Sequence, residues 1–299
     1  MQINEMFSLN GKSAVVFGGK GKVGLPMVSA LCAYGAEVVI ASPSANATDP
    51  EVKTLLSMGY KVTAIAVDHA NASQMKGMLR TLSQRGQFPE IMINSAVTRP
   101  DEVAGRKDTA ENWLRSMSEN SLGTFLATKL FADAMAENGG GSIINVSSIY
   151  GLVASDPAIY AGTEMATEAD YPYNKAGMIG FSKHMASLYG RSKVRINCIA
   201  PGGLFNNQDP NFVQRYTAKV PLARMAEGSD LHGITVFLAS EASKYITGSV
   251  IPVDGGLSIR GHGAKWTRLV RREWGQRGCQ GKFSYRLRES LCLGGSLTN

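Results

Sequence analysis

Apolar and polar positions alternate on two length scales along residues 1–259. Seven short runs are rich in β-branched residues and almost free of polar ones, which is typical of strands that are covered on both faces. They are SAVVF (13–17), AEVVIA (36–41), KVTAIAV (61–67), EIMIN (90–94), GSIINVS (141–147), VRINCIA (194–200) and SVIPV (249–253). We expect each run to form one strand of a single sheet.

Longer segments lie between these runs and repeat apolar residues every three or four positions. Examples are LPMVSALCAYG (25–35), ASQMKGMLRTLSQRG (72–86) and AGMIGFSKHMASLYG (176–190), each of which ends at a glycine. This spacing predicts helices with one buried face. The alternation of strands and helices predicts an α/β fold, a single Rossmann-type doubly wound domain with a seven-stranded parallel sheet flanked by helices.

The net charge of +7 is carried by the C-terminal end of the 299-residue chain. Nine basic and two acidic residues lie in 260–299, so residues 1–259 are neutral overall. We therefore predict a Rossmann-fold domain (1–259) and a basic, poorly ordered C-terminal extension (260–299). Its charge makes a role at RNA or at a membrane surface conceivable. The favoured interpretation is an extension without a selected function, with neither a nucleic-acid nor a membrane partner.

Composition disfavours several other classes of protein. No run of 18 or more residues is continuously apolar, and the N-terminal segment lacks a basic region followed by an apolar block. We therefore expect neither a membrane span nor a secretory signal. The four cysteines and four histidines have no metal-ligand spacing, so no metal is expected. We interpret the cysteines as free thiols in a reducing compartment and predict a cytoplasmic protein.

A glycine-rich turn follows the first predicted strand. Its sequence, GGKGKVG (18–24), contains a G-x-G-x-x-G pattern at Gly19, Gly21 and Gly24, and a helix is predicted from about Val23. Glycines let the backbone approach a pyrophosphate closely, and the helix N-terminus offers free N–H groups to it. The pattern alone is weak, but its place in the first strand-to-helix turn favours a dinucleotide site over a structural turn.

The end of the second predicted strand bears on the choice of cofactor. An acid there would bind the adenosine ribose of NAD, but Ser42 and Pro43 stand at this place. Lys20 and Lys22 in the glycine turn could instead pair with the 2′-phosphate of NADP. The sequence therefore favours NADP weakly and leaves NAD open. The alternative interpretation is that both lysines are solvated and bind no phosphate.

Tyr171 and Lys175 are four residues apart and would share one face of a helix. A cation beside a phenol stabilises the phenolate, which lets a tyrosine serve as a general acid/base. Ser147 and Ser148 end a predicted strand 23 residues before Tyr171 and would face the crevice where doubly wound sheets bind ligands. Together these residue types point to proton transfer beside a bound nucleotide.

At these residues the chain resembles the short-chain dehydrogenase/reductase family of classical type, over residues 9–258. Besides the glycine turn, the resemblance rests on NSAV (94–97), ENSLGTF (119–125), INVSSIYG (144–151), YPYNKAG (171–177), INCIAPGG (196–203) and ITGSVIPVDGG (246–256). It implies an NAD(P)-dependent oxidoreductase that interconverts a secondary alcohol and a ketone. It also implies a homo-oligomer, a dimer or a tetramer, that acts on a small-molecule substrate.

The resemblance assigns roles residue by residue. Asn120, Ser148, Tyr171 and Lys175 take the four catalytic places, with Tyr171 as general acid/base and Asn120 in a proton relay through water. Ser148 is preferred to Ser147 because the family's serine is followed by x-x-Gly. The implied cofactor contacts are Gly18, Gly19, Lys20, Gly21, Lys22, Val23, Gly24, Ser42, Asp68, Asn94, Ala96, Tyr171, Lys175, Pro201 and Gly202.

The chain also departs from the family pattern. Phe17 and Lys22 replace the threonine and the middle glycine of T-G-x-x-x-G-x-G, and Ser95 and Val97 alter the N-N-A-G segment. The altered segments keep open a catalytically silent NAD(P)-binding regulator.

The interval from Ser148 to Tyr171 is longer than usual, so we expect residues 156–170 to cover the substrate side, with 203–225 as a lid. These features resemble gluconate 5-dehydrogenase-like oxidoreductases and favour a sugar, sugar acid or polyol. The alternative substrate is a 3-oxoacyl thioester.

Overall fold

The structure is a computed structural model, and it describes residues 2–98 and 108–259. The predicted C-terminal extension, residues 260–299, lies outside the described residues. Within these ranges no helix has both the length and the apolar character that crossing a membrane requires.

Seven parallel strands form one sheet in the order β3-β2-β1-β4-β5-β6-β7. Their bounds are β1 Ser13–Phe17, β2 Glu37–Ser42, β3 Val62–Ala66, β4 Ile91–Asn94, β5 Gly141–Val146, β6 Val194–Pro201 and β7 Val250–Val253. Each strand agrees with its predicted run to within a residue at either end. The fold prediction is therefore confirmed, and the strand order reverses between β1 and β4, which is the switch point where such sheets bind ligands.

Helices cover both faces of the sheet. They are α1 Gly24–Ala33, α2 Pro50–Ser57, α3 Ala72–Gln84, α4 Ala110–Ser116, α5 Leu122–Glu137, α6 Pro157–Tyr160, α7 Asp170–Tyr189, α8 Pro210–Lys219 and α9 His232–Ala239. A π-helical turn, Met117–Ser121, joins α4 to α5. The sequence periodicity predicted α1, α3 and α7, whereas α2, α4 and the π turn were not foreseen.

Two apolar clusters hold these layers together. On one face, α1 buries Met27 and Leu31 against β1 and β2, and α9 buries Leu238 against α1 and β5. On the other, α3, α5 and α7 bury residues that include Phe131 and Met185. Because all strands are parallel and covered on both faces, their carboxyl ends meet at one edge of the sheet, and this edge carries the candidate site.

The predicted insertion and lid pack against each other. Helix α6 lies in the insertion and α8 in the lid, and the rings of Tyr160 and Phe212 are 5.3 Å apart. An ion pair joins Lys219 of α8 to Asp156 ahead of α6. The insertion therefore forms a common cover with the lid.

Candidate active site

The glycine loop between β1 and α1 folds tightly against the segment after β4. Gly18 has a φ of +70°, and a Cβ atom there would lie 2.9 Å from the Cα atom of Ala96. At Gly24 a Cβ atom would lie 2.2 Å from the carbonyl oxygen of Gly18 and 2.7 Å from Oγ of Ser95. Only glycine fits these two positions. The loop brings the N-terminus of α1 to the crevice, where its N–H groups suit a pyrophosphate.

Two buried polar atoms beside the switch point have no hydrogen-bond partner among the residues that the structure describes. They are Oγ of Ser42 at the end of β2 and Oδ1 of Asn94 at the end of β4. Burying a polar atom unpaired is unfavourable, so such atoms call for a ligand or a water molecule. Together with the glycine cradle, they make this edge fit a nicotinamide dinucleotide.

Most of the predicted cofactor residues lie at this edge. The structure brings together Gly18, Gly19, Lys20, Gly21, Lys22, Val23, Gly24, Ser42, Asp68, Asn94, Ala96, Pro201 and Gly202, each in or directly after the carboxyl end of a strand, or in the turn that opens α1. Lys20 and Lys22 differ in their surroundings. Lys22 is exposed, whereas Lys20 forms an ion pair with Asp49, an acid that the sequence analysis did not single out.

The predicted catalytic lysine is held by the end of β5. Lys175 is 6% exposed, its Nζ donates to the carbonyl oxygen of Val146 at 2.8 Å, and it lies 5.7 Å from the centroid of the Tyr171 ring. The 3-10 turn after Ser148 presses against α7, because a Cβ atom at Gly151 would lie 2.9 Å from the carbonyl oxygen of Lys175. The glycine that follows the serine pair is thus required to bring the turn onto α7.

The two adjacent serines have different tasks. Oγ of Ser147 is buried and donates to the carbonyl oxygen of Lys175 at 2.8 Å. Oγ of Ser148 accepts from the N–H group of Tyr150 at 3.2 Å, which leaves its own proton for another acceptor. Ser147 therefore supports the lysine backbone, while the hydroxyl proton of Ser148 is not used by this hydrogen bond.

Asn120 lies in the π turn between α4 and α5. Its Nδ2 donates to the carbonyl oxygen of Thr98 at 2.9 Å, and its Oδ1 accepts from the N–H group of Thr98 at 2.8 Å. Ser116 links this turn to α7, because it hydrogen-bonds Asn120, Asp170 and Asn174. Asn120 thus fixes the segment after β4, and its predicted place in a proton relay stays a prediction.

The substrate side contains a group of hydroxyls that the sequence analysis missed. The hydroxyls of Tyr150 and Tyr160 lie 2.7 Å apart, and Thr167 donates to Tyr160 at 2.8 Å. Burial raises the pKa of Tyr150, with smaller contributions from Tyr160 and other tyrosines, so the Tyr150 hydroxyl stays a neutral hydrogen-bonding group. Their signal in the sequence was only the position of Tyr150 two residues after Ser148.

A cavity of about 500 Å³ lies beyond the ends of β6 and β7. It is lined by Gly202, Gly203 and Asp254 and by residues of the lid segment, such as Tyr216 and Arg224. The Tyr216 hydroxyl accepts from the N–H group of Gly203 at 2.5 Å, which ties α8 to the end of β6. The predicted Pro201–Gly202 stretch thus lies where the lid meets the sheet.

A family model described as enoyl-(acyl carrier protein) reductase matches residues 21–258. The chain therefore belongs to the short-chain dehydrogenase/reductase family, whose members are NAD(P)-dependent oxidoreductases that act on CH–OH groups, and the resemblance read from the sequence is confirmed.

The chain is similar to known proteins along nearly their whole length. A short-chain dehydrogenase from Leptospira borgpetersenii, solved with bound NAD+, is 32% identical, has a TM-score of 0.74, and aligns with 86% of this chain and 97% of its own. A 3-oxoacyl-[acyl-carrier-protein] reductase from Synechocystis is 29% identical over 84% of this chain and 99% of its own. A galactitol 2-dehydrogenase from Rhizobium johnstonii is 26% identical over 86% of this chain and 99% of its own.

Proposed function

We propose that this chain interconverts a secondary alcohol and a ketone with NAD or NADP, and that Tyr171 is the general acid/base. The observation that carries the proposal is the buried Lys175 ammonium group, 5.7 Å from the Tyr171 ring centroid and hydrogen-bonded to the end of β5. Ser148 follows that strand end within two residues. A phenol, a cation and a free hydroxyl proton are the groups that carbonyl reduction needs.

In the reducing direction, Tyr171 donates its proton to the substrate oxygen as the carbonyl carbon receives a hydride. The Lys175 ammonium group stabilises the phenolate that Tyr171 becomes. Ser148 donates a hydrogen bond to the same substrate oxygen and offsets its developing negative charge. Oxidation of the alcohol runs these steps in reverse, with the phenolate taking the hydroxyl proton.

The dinucleotide, when bound, supplies or accepts the hydride. The glycine loop, Gly18 to Gly24, would hold its pyrophosphate. Family resemblance assigns the nicotinamide side to Pro201–Gly202 and its ribose to Lys175. The buried Oδ1 of Asn94 and Oγ of Ser42 lie at the same edge of the sheet as the glycine loop and lack partners among the described residues.

A sugar, sugar acid or polyol is the substrate class that we propose. The hydroxyls of Tyr150, Tyr160 and Thr167 form a polar group on the substrate side, and such groups suit a substrate with several hydroxyls. The similarity to a galactitol 2-dehydrogenase supports the same class.

Steady-state turnover of a substrate panel tests this proposal. We expect kcat/KM for a polyol or sugar acid to exceed that for a short 3-oxoacyl thioester at least about tenfold, since the hydroxyls of Tyr150, Tyr160 and Thr167 can hydrogen-bond a polyol but not the apolar chain of a thioester. Faster turnover of the thioester would instead favour the second candidate, a 3-oxoacyl-thioester reductase, which the Synechocystis relative supports. Nucleotide binding without turnover of any member would favour the silent regulator.

The assembly and the domain limits belong to the same proposal. Large apolar side chains are exposed on α5 and α7, among them Phe125, Tyr173 and Leu188, and they support a homo-oligomer, a dimer or tetramer, which sedimentation velocity measures directly. A monomer at micromolar concentration would contradict it.

The buried free thiols of Cys32 and Cys198 support a reducing, cytoplasmic location. Proteolytic cleavage soon after Ile259 is expected if residues 260–299 form a separate extension.

A further inference from the structure

An ion pair connects the glycine loop to the segment before α2. Nζ of Lys20 lies 2.9 Å from Oδ2 of Asp49 and donates to the carbonyl oxygen of Ser44 at 2.8 Å. The side chains of Lys20 and Asp49 are only 23% and 17% exposed. The pair is therefore partly shielded from solvent and from screening by salt.

The backbone holds Asp49 in this position. Its carboxylate accepts from the N–H group of Asn46 at 2.9 Å, and its own N–H group donates to the carbonyl oxygen of Asn46 at 3.1 Å. The hydrogen bond from Lys20 lowers the pKa of the Asp49 carboxyl, followed by that from Asn46. Asp49 is thus a fixed carboxylate at neutral pH, and its charge neutralises that of Lys20.

The pair lies at the adenosine side of the crevice. In doubly wound sheets the adenosine ribose is bound between the first glycine turn and the end of the second strand. Here Lys20 belongs to that turn, and Ser44 and Asp49 follow the end of β2. At the end of β2 itself, Ser42 has a buried hydroxyl with no partner among the described residues, which is an independent sign of a ligand.

We propose that Asp49, held by Lys20, is the acid that binds the adenosine ribose, and that the pair makes NAD the preferred cofactor. This inference rests on the proposed function. A ribose 2′-hydroxyl can donate to a carboxylate, whereas a 2′-phosphate adds negative charge beside one. The prediction from the sequence that NADP is favoured depended on the charges of Lys20 and Lys22. Asp49 neutralises the charge of Lys20, and the charge of Lys22 is exposed to solvent and screened by salt.

Equilibrium binding of NADH and NADPH to the full chain, followed by nicotinamide fluorescence, tests the inference without turnover. We expect the wild-type protein to bind NADH at least about tenfold more tightly than NADPH. Asp49→Asn removes the carboxylate and leaves Lys20 as an unpaired cation, so it should tighten NADPH about tenfold relative to NADH. Glu37→Gln is the control, since it breaks a more exposed ion pair with Lys61 at the opposite end of β2 and should change neither affinity.

A second variant should change the preference between NADH and NADPH in the opposite direction. Lys20→Met leaves the Asp49 carboxylate unpaired, so the preference for NADH should increase, and this result holds even if Asp49→Asn does not fold. The inference is overturned if the wild-type protein prefers NADPH, or if Asp49→Asn changes both affinities by one factor. Failure of the wild-type protein to bind either nucleotide would contradict the proposed function, and the inference with it.

Discussion

At the scale of single residues, the site divides into groups that face the crevice and groups that hold them. Ser147 and Ser148 are neighbours in sequence, yet one supports the backbone of Lys175 and the other keeps its proton available. The preference for Ser148 came from family resemblance, and the hydrogen bonds supply an independent physical reason for it.

Replacing each serine by alanine should separate these tasks. Ser148→Ala should lower kcat by about 10²- to 10³-fold without weakening cofactor binding, because it removes a donor to the developing oxyanion. Ser147→Ala should destabilise the fold by about 1 kcal/mol, because it leaves a buried carbonyl with one hydrogen bond fewer. Stopped-flow kinetics and urea unfolding measure the two effects. Equal losses of kcat in both variants would contradict the division.

The position of Asp49 beside the glycine loop could not be predicted from the sequence. The family pattern places the ribose acid at the end of β2, where Ser42 stands, and Asp49 lies seven residues later in a segment with no regular period. Only the folded path of residues 43–49 brings its carboxylate to Lys20. Pairing between residues in different loops depends on backbone geometry that local patterns do not encode.

At the scale of elements, the strands were the most predictable part. Their apolar, β-branched runs are unambiguous because both faces of the sheet are covered. The π turn at Met117–Ser121 was not predictable, because its residues also suit a continuous α-helix and tertiary contacts decide its geometry. Those contacts include the bonds of Ser116 and Ser121 to the start of α7.

Helix α3 offers a test of how far local propensity controls stability. Gly77 lies inside α3, and nothing lies within 4 Å of where its Cβ atom would be. Gly77→Ala should therefore raise the free energy of unfolding by about 0.5–1 kcal/mol. Gly35 lies outside α3, in the turn between α1 and β2. Gly35→Ala should lower the free energy of unfolding, because Gly35 has a φ of +100° and its Cβ atom would lie 1.9 Å from Oδ1 of Asn10. Urea denaturation measures both, and a destabilised Gly77→Ala would contradict this reading of α3.

At the scale of the whole molecule, parallel strands explain how residues from Gly18 to Gly202 meet. Each predicted site residue follows a strand end or lies on a helical segment that packs there, so the common direction of the parallel strands brings most of them to one edge. What the sequence could not supply was the packing of the insertion against the lid, since it depends on side chains such as Tyr160 and Phe212.

His69 links this edge to the stability of the fold. Its ring is wedged against α5, because a Cβ atom at Gly123 would lie 2.3 Å from Nε2 of His69. Burial lowers its pKa below the ordinary value of 6.5, and the nearby charges of Asp68 and Glu119 oppose this only in part. The unfolded chain therefore binds a proton at higher pH than the folded one. The resulting stability is complete above pH 6.5 and is lost as the pH falls toward the lower, folded pKa.

Replacing His69 by glutamine should remove this dependence. Between pH 6.5 and 5, the free energy of unfolding of the wild-type protein should fall more steeply than that of His69→Gln, by at most about 1.4 kcal/mol per pH unit. Urea unfolding at a series of pH values measures the difference in slope. Parallel curves would mean that His69 titrates alike in the folded and unfolded states.

The central claim, that Tyr171 transfers the proton, is tested most directly by single-turnover hydride transfer with a bound nucleotide and a substrate of the panel. Tyr173→Phe is the control, since Tyr173 lies on the same helix, is 58% exposed and packs on Trp113. The account predicts that Tyr171→Phe slows transfer at least about 10²-fold while the nucleotide still binds, and that Tyr173→Phe transfers at the wild-type rate. Transfer at the wild-type rate by Tyr171→Phe would contradict it.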